Sequence, residues 1–167
     1  MKIKNVVQKT QMVLALFMAL SVLAVFSCKK KKTNEALYDE SKAADLSFYK
    51  GVDTIYAAAG GSPHGSFKLK FNAKAISGLD ASGKLPVGGS FENGALIVKE
   101  VYSGNTLTLY AVMKKDGSSR FSSNGWVWAE YEPDGKVHYS VSKNGKDCVS
   151  CHTSSPQRDY TRSFDLH

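Results

Sequence analysis

Three cysteines, four prolines and four methionines are all that the 167 residues contain, and where these fall excludes several classes of protein. So few cysteines rule out a small scaffold stapled by disulfides. Three of the methionines lie within the first 18 residues, which leaves Met113 alone in the rest of the chain. Acidic residues are missing altogether from residues 1–32, a stretch that holds seven of the 22 basic ones. Residues 33–167 therefore carry fifteen basic side chains against fifteen acidic, and the formal charge of +7 is a property of the N-terminus. The remainder lacks the basic excess with which proteins hold nucleic acid, so no nucleic-acid partner is expected. One long apolar run exists, from Met12 to Phe26, and it falls short of the roughly 20 residues that a spanning helix needs.

What is present at the N-terminus fits that run. Lys2, Lys4 and Lys9 make a basic start, the apolar stretch follows, and Ser27-Cys28 closes it. This is the order of an export signal of the lipoprotein kind over residues 1–27, with Cys28 as the acylated first residue of the mature chain. The alternative is an ordinary signal cut nearby, leaving Cys28 as a spare thiol. Lys29 to Lys32 open a polar tether over 28–35 suited to lie near anionic head groups. The reading is of an exported protein, a periplasmic or outer-membrane lipoprotein held to the membrane by its lipid, with residues 36–167 as one domain large enough to bury a core.

Within that domain the apolar period changes once. From Asn34 to Ala59, Leu37, Ala44, Phe48, Val52, Ile55 and Tyr56 recur at three- and four-residue steps, which predicts one or two helices ended by Gly60-Gly61-Ser62-Pro63. After Pro63 the period is two. In FKLKF, Phe67, Leu69 and Phe71 alternate with lysines, and GALIVKEVYS, NTLTLYAVMKK, NGWVWAEYE and KVHYSVS read as further strands. Glu132-Pro133-Asp134-Gly135 is a hairpin turn between the last two, and NAKAIS is a short helical turn. The fold class is α+β: mainly an antiparallel sheet with an N-terminal helical segment and a short C-terminal segment that carries the remaining cysteines.

That segment reads Cys148-Val-Ser-Cys151-His152. Two cysteines three apart on a helical turn face the same way, which is what two thioether bonds to one haem require, and His152 is then placed to ligate the iron. The pattern is that of covalent attachment of one haem c. A redox disulfide between Cys148 and Cys151 is an alternative that has no use for the histidine. Zinc would need two more ligands, from His64, His138 or His167. Only 15 residues follow His152 and none is methionine, while Met113 in its strand reads as core filler. An electron carrier with a methionine-capped iron is therefore not expected, and one face of the iron would be open to small molecules. In ALIVKEVY, Lys99 shares a strand face with Ala95, Ile97 and Val101, so a charge points towards buried surface unless it snorkels at a sheet edge.

The stretches SPHGSFKLKFNAKA (62–75), GSFENGALIVKEVYS (89–103), LYAVMKKDG (109–117), NGWVWAEYEPDGK (124–136) and CVSCHTSSPQRDYTRSF (148–164) together resemble the cytochrome P-460 family and the related β-type cytochromes c-prime. The resemblance implies a small antiparallel sheet, one c-type haem and a homodimer. It makes Lys99 the lysine that P-460 enzymes bond to a haem meso carbon, a modification that accompanies hydroxylamine oxidation. Those enzymes place a carboxylate in the following strand, and the alignment puts Tyr110 there. The resemblance therefore leans towards the relatives that bind nitric oxide or carbon monoxide in a pocket walled by aromatics, for which Phe67, Phe71 and Phe91 are candidates. His64 is expected in a structural hydrogen bond, Trp126 and Trp128 at the porphyrin edge, and Arg158 and Arg162 near the haem propionates. The ligand is then a small nitrogen oxide or hydroxylamine, oxidised with the help of an unidentified redox partner. A gas-binding or electron-relay module without turnover is the other reading, and a thiol–disulfide protein a third.

The N-terminal reading makes a direct prediction. Mass spectrometry of the native protein will find a mature chain beginning at an acylated Cys28; an unmodified Cys28, or a different first residue, refutes the anchor.

Overall fold

The computed structural model describes residues 27–153 and 156–167. The basic and apolar stretch read as the body of the export signal lies outside these residues, as do Ser154 and Ser155. The chain divides into two units, Met1–Thr33 and Asn34–His167, and the fold is that of the second.

Six strands follow one another in space in the order of the sequence, all antiparallel: β1 (Ser47–Phe48), β2 (Ser66–Phe71), β3 (Leu96–Ser103), β4 (Thr106–Lys115), β5 (Trp126–Tyr131) and β6 (Val137–Tyr139). The alternation in β2 is read directly as burial, with Phe67, Leu69 and Phe71 inside and the lysines between them half-buried. At the turn before β6, Glu132 N–H donates to the Lys136 carbonyl and Gly135 N–H to the Glu132 carbonyl, both at 2.9 Å.

Both sheet faces are covered. On one, Leu96, Val98, Val112, Val127, Ala129 and Tyr131 form a core with Leu37. Leu37 belongs to helix α1, described over 27–41, a range that takes in the lysine-rich residues 28–35 read as a tether. Asn34 fastens α1 to the far end of the sheet: its Oδ1 accepts from Val141 N–H at 3.2 Å and its Nδ2 donates to Ser140 Oγ at 3.3 Å. The other face carries the aromatic core of Phe67, Phe71, Phe91, Trp126, Trp128 and Phe164. Three short helices lie after β2 and β6: α2 (Ala73–Ser77), α3 (Lys146–His152) and α4 (Ser163–Leu166). Asn72 caps α2, accepting from Ala75 N–H at 2.9 Å.

The helical spacing expected through Ala59 is not realised beyond residue 41. Lys50 and Gly51 take positive φ, at 54° and 68°, which an α-helix does not admit. Phe48 and Tyr56 pair instead with Lys70 and Phe67 of β2. Val52 and Ile55 remain exposed, so the spacing never builds a buried stripe; the open edge of β2 takes the segment over.

The C-terminal segment is anchored by Phe164, fully buried and stacked on Phe71 at 6.0 Å and 9°, with Tyr49 and Phe91 around it. Removing a buried ring of this size leaves a cavity. Phe164→Ala is expected to cost about 3–5 kcal/mol in urea denaturation; a loss below about 1 kcal/mol would show that the segment is held by other means.

Candidate haem site

The register across the sheet puts Leu69, Lys99, Ala111, Glu130 and Tyr139 in one transverse row. Directly opposed residues share a face, so Lys99 and Glu130 look into the same space with the small Ala111 between them. The next row is Phe71, Ile97, Met113 and Trp128. Over these rows lies a cavity of about 380 Å³, closed on its other sides by α3, the 161–163 segment and the chain end. Phe67, Leu69, Ile97 and Met113 give it apolar walls, and His64, Lys99, Glu130 and His152 are among its titratable groups.

The three motif residues come together there: Cys148, Cys151 and His152 all line the cavity. Gly145 sets the approach of α3. It caps the helix at φ 63°, and a Cβ at that position would stand 2.4 Å from Trp128 Cδ1; only glycine lets the helix start against the indole. Trp128 in turn meets the His152 ring edge to face, centroids 4.9 Å apart at 73°. His152 Nδ1 donates to the Tyr160 carbonyl at 2.7 Å, which leaves Nε2 as the nitrogen able to bind a metal. Burial pushes the imidazole down to about 4 against the upward pull of that hydrogen bond, with the nearby charges of Lys99, His64 and Arg162 adding to the depression. At neutral pH it is uncharged, the state a ligand requires.

Lys99 lies on the third of six strands, so it does not snorkel at an edge. Its Nζ sits 4.0 Å from the centroid of the Phe67 ring, and burial holds the amine down to about 8. Glu130 accepts from His64 Nε2 at 3.0 Å, and His138 Nε2 stands 3.9 Å from its other oxygen. Burial pushes this carboxyl up, but the His64 hydrogen bond and the charges of His64, His138 and Lys143 outweigh it, leaving it below its ordinary value. Burial, with the Glu130 charge, pushes the Cys148 thiol up to about 11. That is the wrong direction for a thiolate acting in disulfide exchange. Among the described residues no three His, Cys, Asp or Glu side chains converge to hold a metal ion, as a protein-ligated zinc site would need.

Several expectations are redirected. Tyr110 does not face the cavity. It stands opposite Glu100 on the α1 side of the sheet, 6.2 Å from the Tyr38 ring. Counted back from the β3–β4 turn, where Tyr102 pairs with Leu107, Tyr110 would oppose Lys99; the register shifts by one between Val101 and Tyr102, and Ala111 takes that place. The extra residue is Thr108, whose hydroxyl donates to the Val101 carbonyl at 3.2 Å. On the sheet wall of the cavity the carboxylate is Glu130, one strand further on; Asp147 lines it from α3. Phe71 and Phe91 also lie away from the cavity, in the core against Phe164; Phe67 alone of the three lines it. Trp128 lines it, whereas Trp126 lies deeper and donates to Asp159. Arg162 reaches the cavity, but Arg158 is engaged by Asp165 and the Leu85 carbonyl. Sequence reasoning passed over Glu130, though it shares the period-two phase of Trp126 and Trp128; His167, considered there only as a zinc ligand, packs on Phe67 at 5.1 Å.

The residues present suit a haem. Trp128 Nε1 and Thr161 Oγ1 are buried without a hydrogen-bond partner in the described structure. Both belong to residues lining the cavity, and such atoms mark places where a bound group completes the set. Arg162 adds a positive charge beside the histidine. An antiparallel sheet with an apolar cavity on one face, closed by a Cys-x-x-Cys-His helix, defines a sheet-built haem protein. The chain belongs to the cytochrome P460 family, whose sequence profile matches residues 47–163, from β1 to the first residue of α4, and it is accordingly a haem cytochrome. No curated protein matches the chain as a relative.

The lowered Glu130 carboxyl sets a pH dependence. A depressed acid stabilises the fold above its unfolded value and stops doing so as pH falls through the folded one. Glu130→Gln should therefore cost about 1–2 kcal/mol near pH 7, a cost that shrinks as pH falls through the lowered folded value, as read by thermal unfolding across the acid range. A penalty that persists in acid would show that packing, not charge, is what Glu130 contributes.

Proposed function

We propose that the protein is an exported, membrane-tethered cytochrome that carries one haem c, attached through Cys148 and Cys151 with His152 as axial ligand, and that oxidises hydroxylamine or a similarly small nitrogen compound at the open face of the iron. One observation carries the reading: the His152 Nδ1 bond to the Tyr160 carbonyl presents Nε2 for ligation beside the cavity that also holds Lys99 and Glu130. A haem bound there supplies an electron-accepting metal with one face for a nitrogen ligand. The chain's own residues do the rest. Phe67, Leu69, Ile97 and Met113 exclude water and leave room only for small ligands. Oxidation of hydroxylamine releases protons, and Glu130, ionised and paired with His64, is placed to take one. That carboxylate favours turnover over the gas binding that Tyr110 suggested. Lys99, whose amine burial brings down to about 8, is the residue for the lysine–haem bond that the family resemblance implies. Electrons leave to a redox partner, and the lipid on Cys28 keeps the domain at the membrane.

Gas binding without turnover remains the second reading, favoured by the apolar walls. Protein exported with a haem-attachment system should keep its haem on a denaturing gel. Reduced, it should absorb to the red of an ordinary c-type Soret band, and Lys99→Ala should restore the ordinary band. General base catalysis contributes about 10²–10⁴-fold, so Glu130→Gln should slow hydroxylamine oxidation by about 100-fold while leaving nitric oxide affinity within a few-fold. Loss of haem on the gel overturns the attachment; turnover absent from the wild type moves the conclusion to gas binding, and turnover untouched by Glu130→Gln removes Glu130 as the proton acceptor.

A further inference from the structure

Asp159 and Tyr160 both take positive φ, at 48° and 67°, and Thr161 N–H donates back to the Arg158 carbonyl at 3.0 Å. These are the φ signs of a type I′ turn, which suits asparagine, aspartate or glycine at its centre. Asp159 tolerates the conformation; Tyr160 has no such licence, and a strained residue persists only where its surroundings over-determine it. The surroundings here are the hydrogen bonds on one carboxylate. Asp159 accepts from Lys115 Nζ at 2.7 Å on both oxygens, from Trp126 Nε1 at 3.1 Å, from Phe91 N–H at 2.8 Å and from Ser90 Oγ at 3.1 Å. The ion pair is buried, with side chains 12% and 7% exposed. Its donors come from the end of β4, the start of β5 and the loop before β3, which are separate parts of the domain.

Tyr160, held in its strained conformation by that pin, is the residue whose carbonyl accepts from His152 Nδ1 at 2.7 Å. The geometry points to Asp159 as a positioning residue for the axial histidine: its buried carboxylate holds the turn that aims the Tyr160 carbonyl, and the carbonyl fixes the tautomer and ring orientation of His152. Groups behind a metal ligand tune its basicity as well as its direction. Losing the carbonyl's hold makes the imidazole a weaker donor and frees its rotation. This inference rests on the reading of His152 as the iron ligand.

Resonance Raman of the ferrous full-length holoprotein separates the two claims. A histidine–iron stretching band present in the wild type and abolished in His152→Gly supports the ligand reading; its absence from the wild type defeats that reading alone. Given the band, Asp159→Ala should shift it down and broaden it, and should raise the reduction potential. Lys115→Met, which leaves the Trp126, Phe91 and Ser90 hydrogen bonds in place, should shift it less. Arg158→Gln breaks the neighbouring pair with Asp165 and serves as the control for mere loosening of the segment: it should lower the melting temperature without moving the band. A band unmoved in Asp159→Ala, or moved equally in Arg158→Gln, overturns the positioning role. Should Asp159→Ala fail to fold, Asp159→Asn, whose amide keeps one accepting oxygen but turns an NH2 towards the Trp126 Nε1 or the Phe91 N–H donor, should still shift the band down; a band unmoved there refutes the proposal.

Discussion

Slide β3 by one residue against its neighbours and Ile97 and Lys99 turn towards α1 while Val98 and Glu100 swing into the cavity. The period of two makes register an all-or-none choice of face. Here it is fixed from both sides: Lys99 opposes Leu69 on β2 and Ala111 on β4, and Glu100 on the other face is tied to Lys70 at 2.6 Å. The transverse row of Leu69, Lys99, Ala111, Glu130 and Tyr139 follows from that register. So does the chemistry of the cavity, because an amine and a carboxylate reach one space only if the strand between them presents a residue as small as alanine.

Much of this was legible in the chain. The five longer alternating runs became β2 to β6, the Pro-Asp-Gly turn joined the last two, and Lys99 was marked as a charge directed at buried surface by its neighbours Ala95 and Ile97. Cys148, Cys151 and His152 were found by spacing alone, since a helical turn brings them together whatever the rest of the fold does. The failures share a cause. Local periodicity says which residues share a face within one strand, but not how two strands are phased. The alignment that gave Tyr110 carried no phasing either: a single extra residue, Thr108, shifts β4 so that Ala111 opposes Lys99. Glu130 was hidden by the same limit, for its partner His64 lies 66 positions away. In residues 42–59 the helical spacing was overruled by an open strand edge, which no local pattern reveals.

Charge in the folded unit balances in number but not in place. Lys70 with Glu100, Lys114 with Glu40, and Lys115 with Asp159 are matched at 2.6 to 2.7 Å. Lys99 meets an aromatic face instead and is brought by burial alone towards neutrality. An interior that spends acids on its other lysines and none on this one leaves the cavity with an amine whose protonation is easily changed.

The sheet runs in chain order, each strand pairing with the next, and this bears on how the molecule forms. Contacts between successive hairpins close short loops and can assemble quickly, whereas pairings distant along the chain wait for them. Distant ones include Asn34 reaching Val141 across 107 positions, His64 reaching Glu130 across 66, and Lys115 and Trp126 reaching Asp159 across 44 and 33. The meander can therefore stand before its final segment docks. During that interval Cys148 and Cys151 of α3 remain accessible, and the sheet wall of the cavity they will line is already in place.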